Sequence, residues 1–228
     1  MGASTLAEIV TEGLLQAGNT SLTARAKTHL KKWLRTQAQN FQWPVTKNQD
    51  SIDLVAGDES FSIGNGSGGV TQEIQRVLDP MKIFSTDGGD TLNGLSVIRV
   101  VTDWDDNTDA PSDGRGPGKP TQARVSKTAT KGEWEISFNY ELDQDYTVAF
   151  EFYGVPVDPA DGAVPWYPND QTMIHVVYAW ALRQMKNMKE AAEADNEVRR
   201  MLGQDKLGNI DKDGINDNGI PLKSGVFR

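Results

Sequence analysis

The chain has 228 residues, 23 Lys or Arg against 32 Asp or Glu, a formal net charge of −9 and no cysteine. That length suits one large domain or two small ones. The lack of thiols excludes disulfides, thiolate metal sites and cysteine nucleophiles, and the acidic balance argues against a general nucleic-acid binder, whose phosphate contacts are mostly Lys and Arg.

Thr5 followed by Glu8 fits a capping box, and Leu6, Ile9, Val10, Leu14 and Leu15 fall on one helical face. Gly18-Asn19 supplies left-handed residues that close this helix. Ser21 is placed to cap a second helix, whose apolar face is Leu22, Ala26, Leu30, Trp33, Leu34, Ala38 and Phe41, and which ends before Pro44. The short joint predicts a helical hairpin over residues 1–45.

Residues 46–164 change to a β-rich pattern. Ser51–Ala56 alternates, Gly57-Asp58 turns and Ser60–Ile63 alternates again, which predicts a β-hairpin. Residues 65–69 fit a Gly-rich flexible loop or turn. Residues 70–78 and 81–84 predict a bent strand pair broken at Asp79-Pro80, since Pro80 lacks the amide hydrogen a central ladder needs. Residues 94–101 fit a strand or a short helix. The polar segment 103–120, rich in Asp, Gly and Pro, predicts a long acidic loop. Strands follow near 121–127, 133–139 and 145–153, the last with Tyr146, Val148, Phe150 and Phe152 on one face.

Asn169 or Asp170 caps the return to helix. A helical stripe from Met173 through Val177, Trp180, Ala181, Met188 and Ala192 predicts one long helix over 165–203, stopping at Gly203 and packing on the N-terminal helices. Residues 204–228 lack any core-forming period and are expected to be an extended tail. The expected fold class is therefore α+β: a helical bundle from two N-terminal helices and one long C-terminal helix, with an inserted antiparallel β-module and an extended C-terminal tail. No apolar run approaches the roughly 20 residues of a membrane span, and the first residues show no basic flank before an apolar core, so neither a span nor a secretory signal is expected.

Several groups invite a chemical reading. Glu133, Glu135, Glu141, Asp143 and Asp145 contain the residue types of a glycosidase carboxylate pair, but their positions near strand ends fit solvent-facing charges equally. Asp211–Gly219 alternates oxygen ligands like a calcium loop yet lacks the Glu at position 12, and reads as a polar turn on Gly214 and Gly219. His29 and His175 have no partner at ligand spacing and no nucleophile motif. Trp33, Trp43, Trp134, Trp166 and Trp180 read as core or interface residues. No catalytic group, metal site or cofactor is expected. Charge is uneven: Arg25, Lys27, Lys31, Lys32 and Arg35 form a basic stretch, while residues 79–113 hold eight aspartates against Lys82 and Arg99.

Four segments, in matching order, resemble the head-to-tail adaptor (connector, head-completion or tail accessory) proteins of tailed bacteriophages. They are the opening helix pair; Ile52-Asp-Leu-Val-Ala-Gly-Asp-Glu-Ser-Phe-Ser-Ile63; Gly118-Lys-Pro-Thr-Gln-Ala-Arg124 leading into Asp143–Pro156; and Trp166-Tyr-Pro-Asn-Asp170 entering the long helix.

The resemblance implies a non-enzymatic structural protein of the virion neck. It would form a homo-oligomeric ring of about twelve copies under the portal, bind portal protein on one side and a downstream tail or nozzle protein on the other, and pass the genome DNA through its bore without reading sequence. In similar proteins the C-terminal extension reaches the portal. Here that implies Ile220, Pro221, Leu222, Lys223, Val226, Phe227 and Arg228 as portal-binding residues, with Leu222, Val226 and Phe227 as apolar anchors and Lys223 and Arg228 as charged ones. Arg25, Lys27, Lys31, Lys32 and Arg35 would face an acidic portal or neighbouring copy, or else line the bore. The first is preferred, because fixed cations in a channel would grip phosphate. Trp104, with Asp105 and Asp106, would anchor the downstream tail protein. The other class of function open to the sequence is a β-rich glycan- or protein-binding module of a virion or surface assembly.

Overall fold

The structure is a computed structural model that describes residues 3–85, 96–101 and 116–208. It divides into two compact units, Met1–Val45 with Asp158–Arg228, and Thr46–Val157.

In the first unit, α1 (Leu6–Gln16) starts at the capping box read from the sequence. The Glu8 N–H donates to Thr5 Oγ1, and the Thr5 N–H donates to Glu8 Oε2 at 2.7 Å. It ends where Gly18 turns to φ 71° and the Asn19 N–H donates back to the Leu14 carbonyl at 3.0 Å. Helix α2 (Thr23–Asn40) buries Ala26, Leu30, Leu34 and Ala38. Ser21 does not cap it: Leu22 holds the N-cap position, and both the Ser21 N–H and hydroxyl donate to Asn19 Oδ1.

The expected single C-terminal helix is two helices, α3 (Asp170–Gln184) and α4 (Met188–Gly208). Asn169 caps α3, its Oδ1 accepting from the Gln171 and Thr172 amides. At the far end Lys186 takes a left-handed φ of 62°. Its N–H donates to the Arg183 carbonyl, and the Asn187 N–H donates to the Leu182 carbonyl, both at 3.0 Å. This is the bonding pattern of a Schellman stop, built on a lysine. The chain then reverses, and Ala191 and Ala194 of α4 pack on Ala179 and Leu182 of α3. Gly203 is not a stop either. It lies within α4, so residues 204–208 are helix rather than tail.

The core of this unit joins Leu6, Ile9, Val10 and Leu14 of α1 to Ala26, Leu30 and Leu34 of α2 and to Met173, Val177 and Ala181 of α3. Gly13 allows the closest approach. A Cβ there would stand 2.8 Å from the Ile174 carbonyl oxygen and 2.8 Å from Val177 Cβ.

Among its described residues the second unit is an eight-stranded sheet of β1 (Lys47–Leu54), β2 (Ser60–Ile63), β3 (Glu73–Val77), β4 (Met81–Ser85), β5 (Ser96–Val101), β6 (Gln122–Lys127), β7 (Trp134–Phe138) and β8 (Tyr146–Val155). The order is β1-β8-β4-β5-β6-β7-β2, with β3 also pairing β8. β8 organises it. Lys47–Leu54 runs antiparallel along one edge of β8, while β4 and then β3 lie end to end along the other. Tyr146, Val148, Phe150 and Phe152 of β8 point into a core shared with Phe61, Ile63, Met81, Ile83, Ile98, Ile136 and Phe138. Burying each such side chain is worth about 1.5–3 kcal/mol.

The expected fold class is overturned. The described residues are predominantly β-rich, four α-helices with a curled mixed sheet shaped as a half-barrel, rather than a helical bundle carrying an inserted antiparallel β-module. Three physical facts lie behind the correction. First, β5 and β6 are parallel. Second, the long helix is broken at Lys186. Third, β1 and β2 do not form a hairpin: β1 pairs β8 and β2 pairs β7. Those two strands stand at opposite ends of the strand order, yet only Val55–Glu59 joins them. Each extended residue reaches at most about 3.6 Å, so the sheet has to curl until its ends approach. Likewise β3 and β4 pair with β8 and not with each other, on either side of the cis Asp79–Pro80 peptide. Residues 94–101, left open between strand and helix, contain β5.

Candidate functional site

Among the described residues of the helical unit, a polar and aromatic assembly lies where α4 ends beside the start of α3. Asp205, on the last turn of α4, accepts three side-chain hydrogen bonds: from the Tyr167 hydroxyl at 2.8 Å, the Thr172 hydroxyl at 2.6 Å and the Asn169 amide at 2.7 Å. Tyr167 and Thr172 are buried. Burial, and then the hydrogen bond and charge of Asp205, push the Tyr167 phenol well above its ordinary pKa. Tyr167 also meets Trp33 and Trp43 edge-on, each at 5.0 Å between ring centroids. Trp43 is fully buried, donates its indole N–H to the Gln37 carbonyl at 3.1 Å, and packs on Phe41 and Trp166. The Lys206 ammonium sits 5.4 Å above the Phe41 ring. The aromatic side chains make a rigid base, and the charge-assisted bonds to Asp205 pin the end of α4 to it.

The predicted site residues fall in different places. Arg25, Lys32 and Arg35 are exposed on α2. Lys27 donates to Asp161 at 2.6 Å and Lys31 approaches the same carboxylate at 4.0 Å, so part of the basic stretch serves packing within its own unit. The Lys27 hydrogen bond holds the Asp161 carboxyl below the usual range. Ile220, Pro221, Leu222, Lys223, Val226, Phe227 and Arg228 lie outside the described residues, as do Trp104, Asp105, Asp106 and the 211–219 segment. Residues 103–115 of the acidic loop also lie outside them. At its end the Gly118 N–H donates to the Glu141 carbonyl at 2.8 Å.

Three of the five carboxylates considered for a glycosidase pair, Glu133, Asp143 and Asp145, accept hydrogen bonds within the β-unit's turns. Glu133 accepts from the Ser67 hydroxyl at 2.6 Å and the Thr128 hydroxyl at 3.0 Å, and these bonds lower its pKa. Asp143 accepts from the Tyr146 hydroxyl at 2.8 Å, and Asp145 from the Ala56 N–H at 2.9 Å. Glu135 and Glu141 are exposed. Among the described residues no cluster of His, Asp and Glu has the arrangement of a metal site.

His29 stacks on Trp180 with ring centroids 5.4 Å apart and planes 18° from parallel. His175 lies over its own helix, with Nδ1 at 3.0 Å from the Gln171 carbonyl.

Sequence reasoning missed the Asp205 junction. Its partners lie 33 to 38 residues away, and Asp205 stood beyond the expected helix end. The one signal was the Tyr167-x-Asn169-x-x-Thr172 run, three hydrogen-bond donors crowded at a helix start.

No protein-family model matches the chain, and no curated protein aligns with it at a significant level.

Proposed function

We propose that this protein is a structural adaptor of a tailed bacteriophage: a homo-oligomeric subunit of about twelve copies that joins the portal to a downstream tail or nozzle protein around the DNA path. The ordered resemblance of its four segments leads to this reading. The structural observation that supports it is the Asp205 junction, which fixes the last turn of α4 to the aromatic base of the helical unit. Whatever residues 209–228 grasp is then coupled to a rigid body. Leu222, Val226 and Phe227 supply apolar anchors for the portal, and Lys223 and Arg228 supply charged ones. Repetition around a ring multiplies a weak contact into a durable one.

Deleting residues 209–228 tests the reading, because it leaves Asp205 and its partners intact. The truncated chain is expected to keep its fold and lose attachment to portal assemblies. Unchanged attachment would refute the portal-docking role.

The competing reading is a β-rich glycan- or protein-binding module, which the curled sheet accommodates. A protein that stays monomeric beside portal and binds oligosaccharide would favour it.

A further inference from the structure

Charge is divided unequally between the two units. Met1–Val45 with Asp158–Arg228 holds 14 Lys or Arg and 13 Asp or Glu, a net +1, whereas Thr46–Val157 holds 9 and 19, a net −10.

On the β-unit, negative charge gathers where two turns are tied together. The Gly57 N–H donates to the Leu142 carbonyl at 2.8 Å, the Leu142 N–H to the Asp58 carbonyl at 3.1 Å, and the Ala56 N–H to Asp145 Oδ1 at 2.9 Å. These bonds bring Asp58 and Glu59 of the β1–β2 turn beside Glu141, Asp143 and Asp145 of the β7–β8 turn. All but Asp58 are exposed.

On the helical unit, α2 contains no acidic residue. Its exposed Arg25, Lys32 and Arg35 fall within about 80° of one another at 3.6 residues per turn, and Lys27 and Lys31 turn instead to Asp161. One chain thus presents two exposed surfaces of opposite sign, on different units.

We infer that the basic face of α2 docks on the paired acidic turns of a second copy of this chain. The inference deepens the adaptor reading and rests on it for the existence of an oligomer. Because the two surfaces differ, the contact is heterologous. It repeats from copy to copy and closes into a ring when the rotation allows. Arginine and lysine facing carboxylates steer the encounter and fix register, and exposed pairs of this kind weaken with salt. The alternative occupant of the α2 face is a nucleic-acid phosphate backbone, which carries the same sign as the acidic turns and would not engage them.

Charge swapping tests the contact on the full chain. One variant carries Arg25→Glu with Lys32→Glu, the other Glu59→Lys with Glu141→Lys. All four positions are exposed, and circular dichroism verifies that both variants fold. Oligomerisation is followed by sedimentation and native mass spectrometry, alone and with portal. Each variant alone is expected to associate at least tenfold more weakly than the parent, and an equimolar mixture is expected to regain the parental oligomer, because each supplies the charge the other lacks. Oligomers unaffected by either reversal would overturn this contact while leaving the adaptor reading standing. A parent chain that forms no oligomer even with portal would overturn both. Loss of duplex-DNA retention by the α2 variant, with assembly unchanged, would assign that face to phosphate and overturn the inference.

Discussion

The Asp205 carboxylate accepts the Tyr167 hydroxyl at 2.8 Å, joining the last turn of α4 to a buried aromatic residue just ahead of α3. The Thr172 hydroxyl and Asn169 amide also donate to it, so one side chain near the C-terminal end of the described helices satisfies three donors at the start of another. Asp205→Ala strands these donors, two of them on buried residues. Leaving a buried polar group unsatisfied costs about 1–3 kcal/mol, and a hydrogen bond to a charged acceptor contributes about 1.5–3 kcal/mol net of its exchange with water. A loss of about 3 kcal/mol in urea unfolding is expected. A loss within about 0.5 kcal/mol, the range of an ordinary surface change, would contradict the role assigned to Asp205.

The same junction separates two truncations. A chain ending at Gly208 keeps Asp205, while one ending at Gly203 loses it together with the Lys206 contact on Phe41. The longer chain is expected to unfold at the parental denaturant midpoint and the shorter one measurably earlier. Equal midpoints would show that the final turn of α4 adds no stability.

Gly13→Ala sets helix propensity against packing. Alanine gains up to about 1 kcal/mol over glycine in a helix interior. Its Cβ would nevertheless meet the Ile174 carbonyl oxygen and Val177 Cβ at 2.8 Å each. Both belong to the packed α3, and overpacking costs about 1–3 kcal/mol. Net destabilisation is expected in thermal unfolding. A raised melting temperature would mean that α1 and α3 are less closely packed than described.

Lys186→Gly is expected to stabilise. Lysine holds a left-handed φ of 62° there, a conformation that costs a side-chain-bearing residue about 1–2 kcal/mol and glycine almost nothing. The gain is partly offset by the greater freedom of glycine in the unfolded chain, leaving roughly 0.5–1 kcal/mol. Destabilisation in the same unfolding assay would contradict the left-handed stop between α3 and α4.

His29 gives a pH dependence of defined sign. Burial against Trp180 lowers its pKa below the ordinary 6.5, the charges of Arg183 and Lys32 lower it further, and Asp195 opposes them. Well above pH 6.5 the imidazole is neutral in both folded and unfolded chains. As pH falls through that value the unfolded chain takes up its proton first, so stability declines toward the lower folded pKa. His29→Gln is expected to flatten the fall in urea midpoint between pH 7.5 and 5.5. Parallel pH profiles for the two proteins would refute the assignment.

The contrast between legible and hidden features follows from what is local. The Thr5–Glu8 capping box, the Gly18 stop and the alternating burial of β8 involve residues within a few positions of one another, and the sequence states them directly. The turn at Gly57-Asp58 was equally readable, but the strands it joins find their partners at β8 and β7, about 100 and 75 residues away, where no local pattern points. That non-local choice turns an expected hairpin into the two ends of a curled sheet. Lys186 hid the break between α3 and α4 because the left-handed position carries no glycine, and Gly203 suggested an end where the helix continues. Of the candidate contact residues, Lys27 and Lys31 also meet Asp161, a residue 134 positions from Lys27, and no local pattern shows that pairing.

The most direct test of the adaptor account is electron microscopy of the full chain mixed with a candidate portal assembly. The account predicts a ring of about twelve copies seated on the portal, lost when residues 209–228 are deleted. A portal that stays bare while the protein remains folded and monomeric would contradict it.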